Sequence, residues 1–249
     1  MKSIGLQLYT VREYLKSNED IRNIFEVIQS AGYTEIEPYG EIENMELPLK
    51  IANEMELSIA GTISSFNAYT DYEKTVEFCQ KYRIKNLGFS AGEFNHANEV
   101  KKFIDDANAM AEYLDKYGIS IAYHNHSHEF KKLENGKTAY EMMESGFDKD
   151  RMGFVLDTYW VQHGGGDIRH WINKLTGRLT TLHLKDMKRV ENNLVTFAAV
   201  GCGNLWWDGI IEEAQKAGTK HYVVEQDRCD KNPIDCIKES AEYLKKYIY

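Results

Sequence analysis

Short apolar runs alternate along the whole chain with stretches whose apolar positions recur every three or four residues. Successive strand side chains point to opposite faces, whereas helical ones share a face at i, i+3 and i+4, so the two periods separate strands from helices. Strands are predicted at residues 4–9, 34–39, 57–63, 85–89, 119–125, 152–157, 179–185 and 221–226. A helix is predicted after each. The first carries the stripe Ile21, Ile24, Phe25, Val27, Ile28 and is closed by Gly32; the others fall near 47–55, 72–82, 97–117, 138–145, 168–175, 207–217 and 234–247. Eight strand–helix units with no linker or composition break indicate an α/β chain with a parallel sheet, and eight is the number that closes a (β/α)8 TIM barrel. One barrel domain over residues 1–249 is therefore expected. A doubly wound open sheet is the alternative. It fits less well, because no GxGxxG or P-loop follows an early strand and polar residues end many strands rather than one switch point.

In such a barrel the C-terminal strand ends hold the active site, so the polar residues there carry the next inference. In the stretch 181–186, TLHLKD, Leu182 and Leu184 suit a helix layer while Thr181, His183 and Lys185 share the inward face. Counting by two, Ala122, Val155, Thr181 and Val223 are small or medium inward residues, leading up to His124, Asp157, His183 and Glu225 at the ends of four consecutive strands. Two imidazoles and two carboxylates make a mixed nitrogen and oxygen set suited to Mn²⁺, Zn²⁺, Co²⁺ or Fe²⁺, with open positions for substrate oxygens. His126 shares a strand face with His124 and is a close alternative for that position. The competing reading is four unrelated core and rim residues.

Composition narrows the function class. The 249 residues are 43% hydrophobic and 28% charged, ordinary for a globular protein, with no apolar run near the ~18 residues of a membrane span. Residues 1–9 are too short and polar for a signal peptide. A formal charge of −9 argues against a nucleic-acid partner. Cys79, Cys202, Cys229 and Cys236 form no CxxC pair, which suggests reduced thiols in a cytoplasm.

The segments GLQLYTVRE, AYHNHSHEF, VLDTYWVQHGGGD, TLHLKDMKR, VGCGNLWW and YVVEQD together resemble the sugar phosphate isomerase/epimerase family, whose xylose isomerase-like barrel is shared with ketohexose epimerases, inosose dehydratases and endonuclease IV. The resemblance runs from the first strand to the last helix. It implies one divalent metal, with Mn²⁺ or Zn²⁺ foremost and Co²⁺, Fe²⁺ or Mg²⁺ as further candidates, held by His124, Asp157, His183 and Glu225. It also implies an isomerase or epimerase acting on a keto-sugar, sugar phosphate or cyclitol, by proton abstraction next to a carbonyl that the metal polarises. One departure matters: ketohexose epimerases carry a glutamate on strand five as ligand and base, where this chain has His124 and His126. Glu225 is then the first choice of base, and His126 or Lys185 the second acid/base group.

Other positions have two readings each. Glu37 ends strand two, where the resemblance places a substrate-side carboxylate, although a salt bridge across the rim fits as well. Gln7, Asn67 and His163 suit sugar hydroxyls or ordinary loop duty, and Trp160, Trp206 and Trp207 suit a sugar face or loop packing. The glycine-rich stretches 163–167 and 201–204 hold no lysine or P-loop pattern, so turn chemistry is the better reading than a phosphate cradle. The expected partner is a small carbohydrate, with no nucleic acid and no membrane, and a homo-oligomer is compatible with the pattern. Rival functions are a lyase or dehydratase on an inosose or 3-keto-glycoside, an endonuclease IV-like nuclease, and a non-catalytic sugar-binding barrel.

Overall fold

A computed structural model of the protein describes residues 1–248. Its strands are β1 (Gly5–Gln7), β2 (Glu35–Glu37), β3 (Ser58–Ile59), β4 (Thr62–Ser65), β5 (Asn86–Ser90), β6 (Ser120–His124), β7 (Met152–Asp157), β8 (Leu179–Leu184), β9 (Asp186–Arg189), β10 (Val195–Ala198) and β11 (His221–Val224). The α-helices are α1 (Asn18–Ala31), α2 (Ile42–Glu54), α3 (Tyr72–Tyr82), α4 (Ala97–Asp115), α5 (Ala139–Gly146), α6 (Thr158–His163), α7 (Ile168–Lys174), α8 (Trp207–Lys216) and α9 (Pro233–Leu244). Nine strands form one sheet in the order β3-β2-β1-β11-β8-β7-β6-β5-β4, all joins parallel. The two outer members, β3 and β4, are the two halves of the single strand predicted at 57–63.

That split is also where the ring closes. β3 pairs with β2 and β4 with β5, and the contact with the β2 side continues past β3: the Ala60 N–H donates to the Ile36 carbonyl (3.0 Å), the Ile63 N–H to Pro38 (2.9 Å) and the Gly40 N–H to Ile63 (3.0 Å). Both edges of the sheet are thus one stretch of chain, and the sheet is a nearly closed TIM barrel. Pro38 has no N–H to donate, so the ladder there is one-sided and the strand breaks. Gly61 sits at the break because a Cβ there would stand 3.1 Å from the Asn86 carbonyl oxygen.

The helix layer follows from amphipathic stripes. In α1, Ile21, Ile24, Phe25 and Ile28 are buried, the Ser17 side chain accepts from the Asp20 N–H, and Gly32 ends the helix at φ 102°, a conformation costly for a side chain with Cβ. α2 begins at Ile42 rather than 47, because Ile42 and Met45 extend its buried face through a first turn otherwise polar. None of the described helices is long and apolar enough to cross a membrane.

Several strands stop short of their predicted ends, since polar side chains take over the backbone hydrogen bonds at the C-terminal rim. Asn125 Oδ1 accepts from the Asp157 N–H (3.0 Å), the Thr158 hydroxyl from the Lys185 N–H (3.1 Å), and the Thr10 hydroxyl from the Gln226 N–H (3.0 Å). These bonds fix the backbone past the ends of β8 and β11 at Lys185 and Gln226 and tie Asn125, just past β6, to β7. Periodicity did not reveal α6 or the antiparallel β9–β10 hairpin, both too short and mixed to show a period.

Candidate metal centre and substrate cavity

His124 ends β6, Asp157 ends β7, His183 lies in β8 and Glu225 follows β11. His124 pairs with Val155 and His183 with Val223, so at these two joins the polar residues are offset by two positions, the stagger that a tilted, closed sheet requires. Between β7 and β8 they are level, Asp157 opposite His183. That alignment depends on a bulge: Phe154 pairs with Leu179 but Val155 with Thr181, leaving Thr180 extra. Without that extra residue the register would slip by one and turn His183 to the helix side. The four residues are buried and each offers a ligand atom within 4.8 Å of the others.

The charges around this cluster are tightly wired. His183 lies between two carboxylates, with Nδ1 2.8 Å from Glu225 Oε2 and Nε2 2.7 Å from Glu37 Oε2. Burial pulls its pKa down, but Glu37 and Glu225 outweigh burial and raise it to about 10. Lys185 Nζ is buried 2.8 Å from Asp157 Oδ2, 3.0 Å from Glu225 Oε2 and 2.9 Å from Asp227 Oδ1. Against burial, those carboxylates hold its pKa well above the ordinary lysine value. Lys185 and His183 in turn outweigh burial at Glu225 and keep that carboxyl well below its usual range. Asp157 divides its oxygens: Oδ1 accepts from the Trp160 N–H (2.9 Å) as the cap of α6, and Oδ2 faces the cluster.

These donors fit a divalent ion. His124 is buried, and among the described residues neither ring nitrogen has a hydrogen-bond partner; Nε2 stands 3.6 Å from Asp157 Oδ2. An orphaned buried imidazole calls for a partner, and a cation between it and the carboxylates supplies one. His183 turns Nδ1 to the cluster and Nε2 to Glu37, the arrangement in which a carboxylate orients a metal-ligating histidine from behind. Glu37→Gln is accordingly expected to weaken divalent-metal binding by about 10–100-fold. The loss should be largest at high pH, where the proton that Glu37 helps His183 retain no longer competes; isotherms at two pH values check this.

Above the cluster opens a cavity of about 340 Å³. Gln7, Tyr9 and Tyr39 line it together with His126, Trp160, Lys185 and Asp227. The Tyr9 and Tyr39 rings meet edge to face at 5.0 Å, and the Trp160 ring lies 5.4 Å from Lys185 Nζ. Phe197, from the β9–β10 hairpin, stacks on Tyr159 at 4.3 Å and meets Trp160 edge-on at 5.8 Å. Burial, with His124 and Lys185 nearby, lowers the His126 pKa to about 3, so its ring is uncharged at neutral pH.

The structure brings His124, Asp157, His183, Glu225, Lys185, His126, Gln7 and Trp160 to one cluster and cavity. Glu37 stands behind His183 instead of on the cavity wall, and His163 is exposed, stacked on Tyr159 at 5.5 Å outside it. Asp227, which ends strand eight beside Glu225 in the sequence reading, is the third partner of Lys185. Two carboxylates were missed in the sequence. Glu129 is fully buried and binds the Tyr123 hydroxyl and the His126 N–H. Asp186 accepts from the N–H groups of Met187, Gly201 and Gly203 and from Trp207 Nε1, which accounts for the glycines at 201 and 203 as turn chemistry. Asp186 follows Lys185 directly and Glu129 lies three residues past His126, and that nearness was the available signal.

The family description "xylose isomerase-like TIM barrel" matches residues 63–247 of the chain. An inosose dehydratase from Mesomycoplasma hyopneumoniae (strain 7448) is 23% identical over 269 aligned positions, covering 91% of this chain and 88% of that protein. Among solved structures, a sugar phosphate isomerase/epimerase from Parabacteroides distasonis superposes with a TM-score of 0.80 at 22% identity, covering 98% of this chain and 93% of the other. The IOLI protein, solved with a bound zinc atom, gives 0.72 at 16% identity over 99% of both chains.

Proposed function

We propose that this chain, which belongs to the xylose isomerase-like TIM barrel family, is a cytoplasmic, divalent-metal-dependent isomerase or epimerase of a small carbohydrate, with residues 1–249 acting as one domain. The observation that carries this reading is the set of four buried ligand atoms within 4.8 Å, beneath a cavity with Lys185 in its wall. His124, Asp157, His183 and Glu225 would hold the ion, with Mn²⁺ or Zn²⁺ foremost, and it would supply Lewis acidity toward a substrate carbonyl, making the neighbouring C–H more acidic. Glu225, kept anionic by Lys185 and His183, takes that proton. Lys185, kept cationic by three carboxylates, donates to the substrate oxygen that gains charge. His126 is the alternative proton carrier and, being uncharged, begins as an acceptor. Gln7 accepts from the Tyr9 N–H at 2.7 Å and so presents its amide NH₂ to a hydroxyl; Trp160 covers a sugar face. Glu37 acts through His183, and His163 contributes at the outer rim.

A second reading, a dehydratase acting on a keto-sugar or inosose, is favoured by the inosose dehydratase that aligns with 91% of the chain. Proton removal by Glu225 is common to both. In elimination the C–H electron pair forms the new C=C bond while the β-hydroxyl leaves as water with a proton from Lys185. With metal and a panel of ketoses and inososes in D₂O, deuterium should enter a carbon next to the carbonyl, and Glu225→Gln should abolish this. Product NMR then separates an isomerised sugar from a dehydrated one. Binding across such a panel with neither exchange nor turnover would favour a sugar-binding protein, and cleavage of abasic DNA a nuclease.

A further inference from the structure

We propose that the loop after β6 holds a second divalent-cation site, built by His126, His128 and Glu129 and suited to a borderline cation such as Zn²⁺. The three residues offer ligand atoms within 4.8 Å of one another, and none belongs to the central cluster. Glu129 is fully buried, and among the described residues no lysine or arginine pairs with it. A buried carboxylate without a cation is costly. The Tyr123 hydroxyl (2.7 Å, to Oε1) and the His126 N–H (3.0 Å, shared between the two oxygens) hold this one in place, which leaves a lone pair free on Oε2.

The imidazoles beside it carry matching vacant donors. His126 Nδ1 and His128 Nε2 are buried without a hydrogen-bond partner among the described residues. The two rings are nearly parallel, with 13° between their planes and centroids 5.6 Å apart, and each offers a ligand atom within 4.8 Å of one on Glu129. His128 Nε2 lies 3.4 Å from Glu129 Oε1, long for a hydrogen bond. It is the spacing of two ligand atoms each about 2.1 Å from one tetrahedral ion, which stand about 3.4 Å apart. One cation would satisfy both orphaned nitrogens and neutralise the buried carboxylate. It would also withdraw His126 from proton transfer and leave Lys185 as the proton donor.

The test is Zn²⁺ stoichiometry by native mass spectrometry on chelator-treated, full-length protein. Wild type should take two ions per chain, Asp157→Ala one, His128→Ala one, and the double variant none. Circular dichroism verifies folding, and His128 is half-buried, so its truncation leaves the core intact. Wild type saturating at one ion that His128→Ala retains and Asp157→Ala loses would overturn this site and keep the central one. A single ion lost only in His128→Ala would do the reverse.

Discussion

Asp157→Ala and His183→Ala are each expected to weaken divalent-metal binding at the barrel centre by more than about 100-fold, beyond the 10–100-fold typical of losing a group that merely orients a ligand. Each change removes one of four ligand atoms and leaves the others undercoordinated around charges they were arranged to balance. In Asp157→Ala, Lys185 loses one of three carboxylates; in His183→Ala, Glu37 and Glu225 lose the cation between them. Asp157 also caps α6, so alanine there costs about 1 kcal/mol of helix stability in addition. Asp157→Asn separates the two effects, because its amide oxygen can still cap while the ligand charge is gone. Metal content by elemental analysis and affinity by calorimetry decide the matter; full retention in both alanine variants would sink the central site.

The barrel was legible because its eight-fold alternation repeats one physical rule, and strand parity then put Thr181, His183 and Lys185 on one face without any coordinates. What parity could not supply was register. That Asp157 faces His183 rests on the extra residue Thr180, and nothing in the TTLHL sequence distinguishes a bulged threonine from a paired one. Pro38 did carry a readable signal for the broken third strand, since it cannot donate to the neighbour that follows it in space. For Glu37 the ion-pair reading holds, and only its partner, His183, was beyond reach. The distance of Glu37 from the cavity is set by the size of His183, which fills the space between them, and that is a fact of packing rather than of pattern.

The same His183 makes the protein's response to pH above 6.5 flatten when metal is added. Its ordinary pKa is 6.5 and its folded, metal-free value about 10, because burial is outweighed by Glu37 and Glu225. The folded state therefore binds this proton more tightly than the unfolded chain. The resulting stability is fully present below pH 6.5 and is lost as pH rises toward 10, a decline of a few kcal/mol. His126 acts in the opposite sense at lower pH: its folded value of about 3 makes stability rise with pH up to 6.5. Metal-free protein should thus melt highest near pH 6.5, with thermal scans falling on both sides. A divalent ion must displace the His183 proton from Nδ1, so its affinity should increase about tenfold per pH unit while that proton is present, roughly 100-fold between pH 6.5 and 8.5. Metal-loaded protein should then hold its melting temperature nearly level across the range in which the metal-free form loses it, since the tenfold gain in affinity per pH unit offsets the one-proton loss of intrinsic stability. Calorimetry in buffers of different ionisation enthalpy should register close to one proton released per ion. Affinity independent of pH, with no proton released, would mean that the ion does not bind through His183.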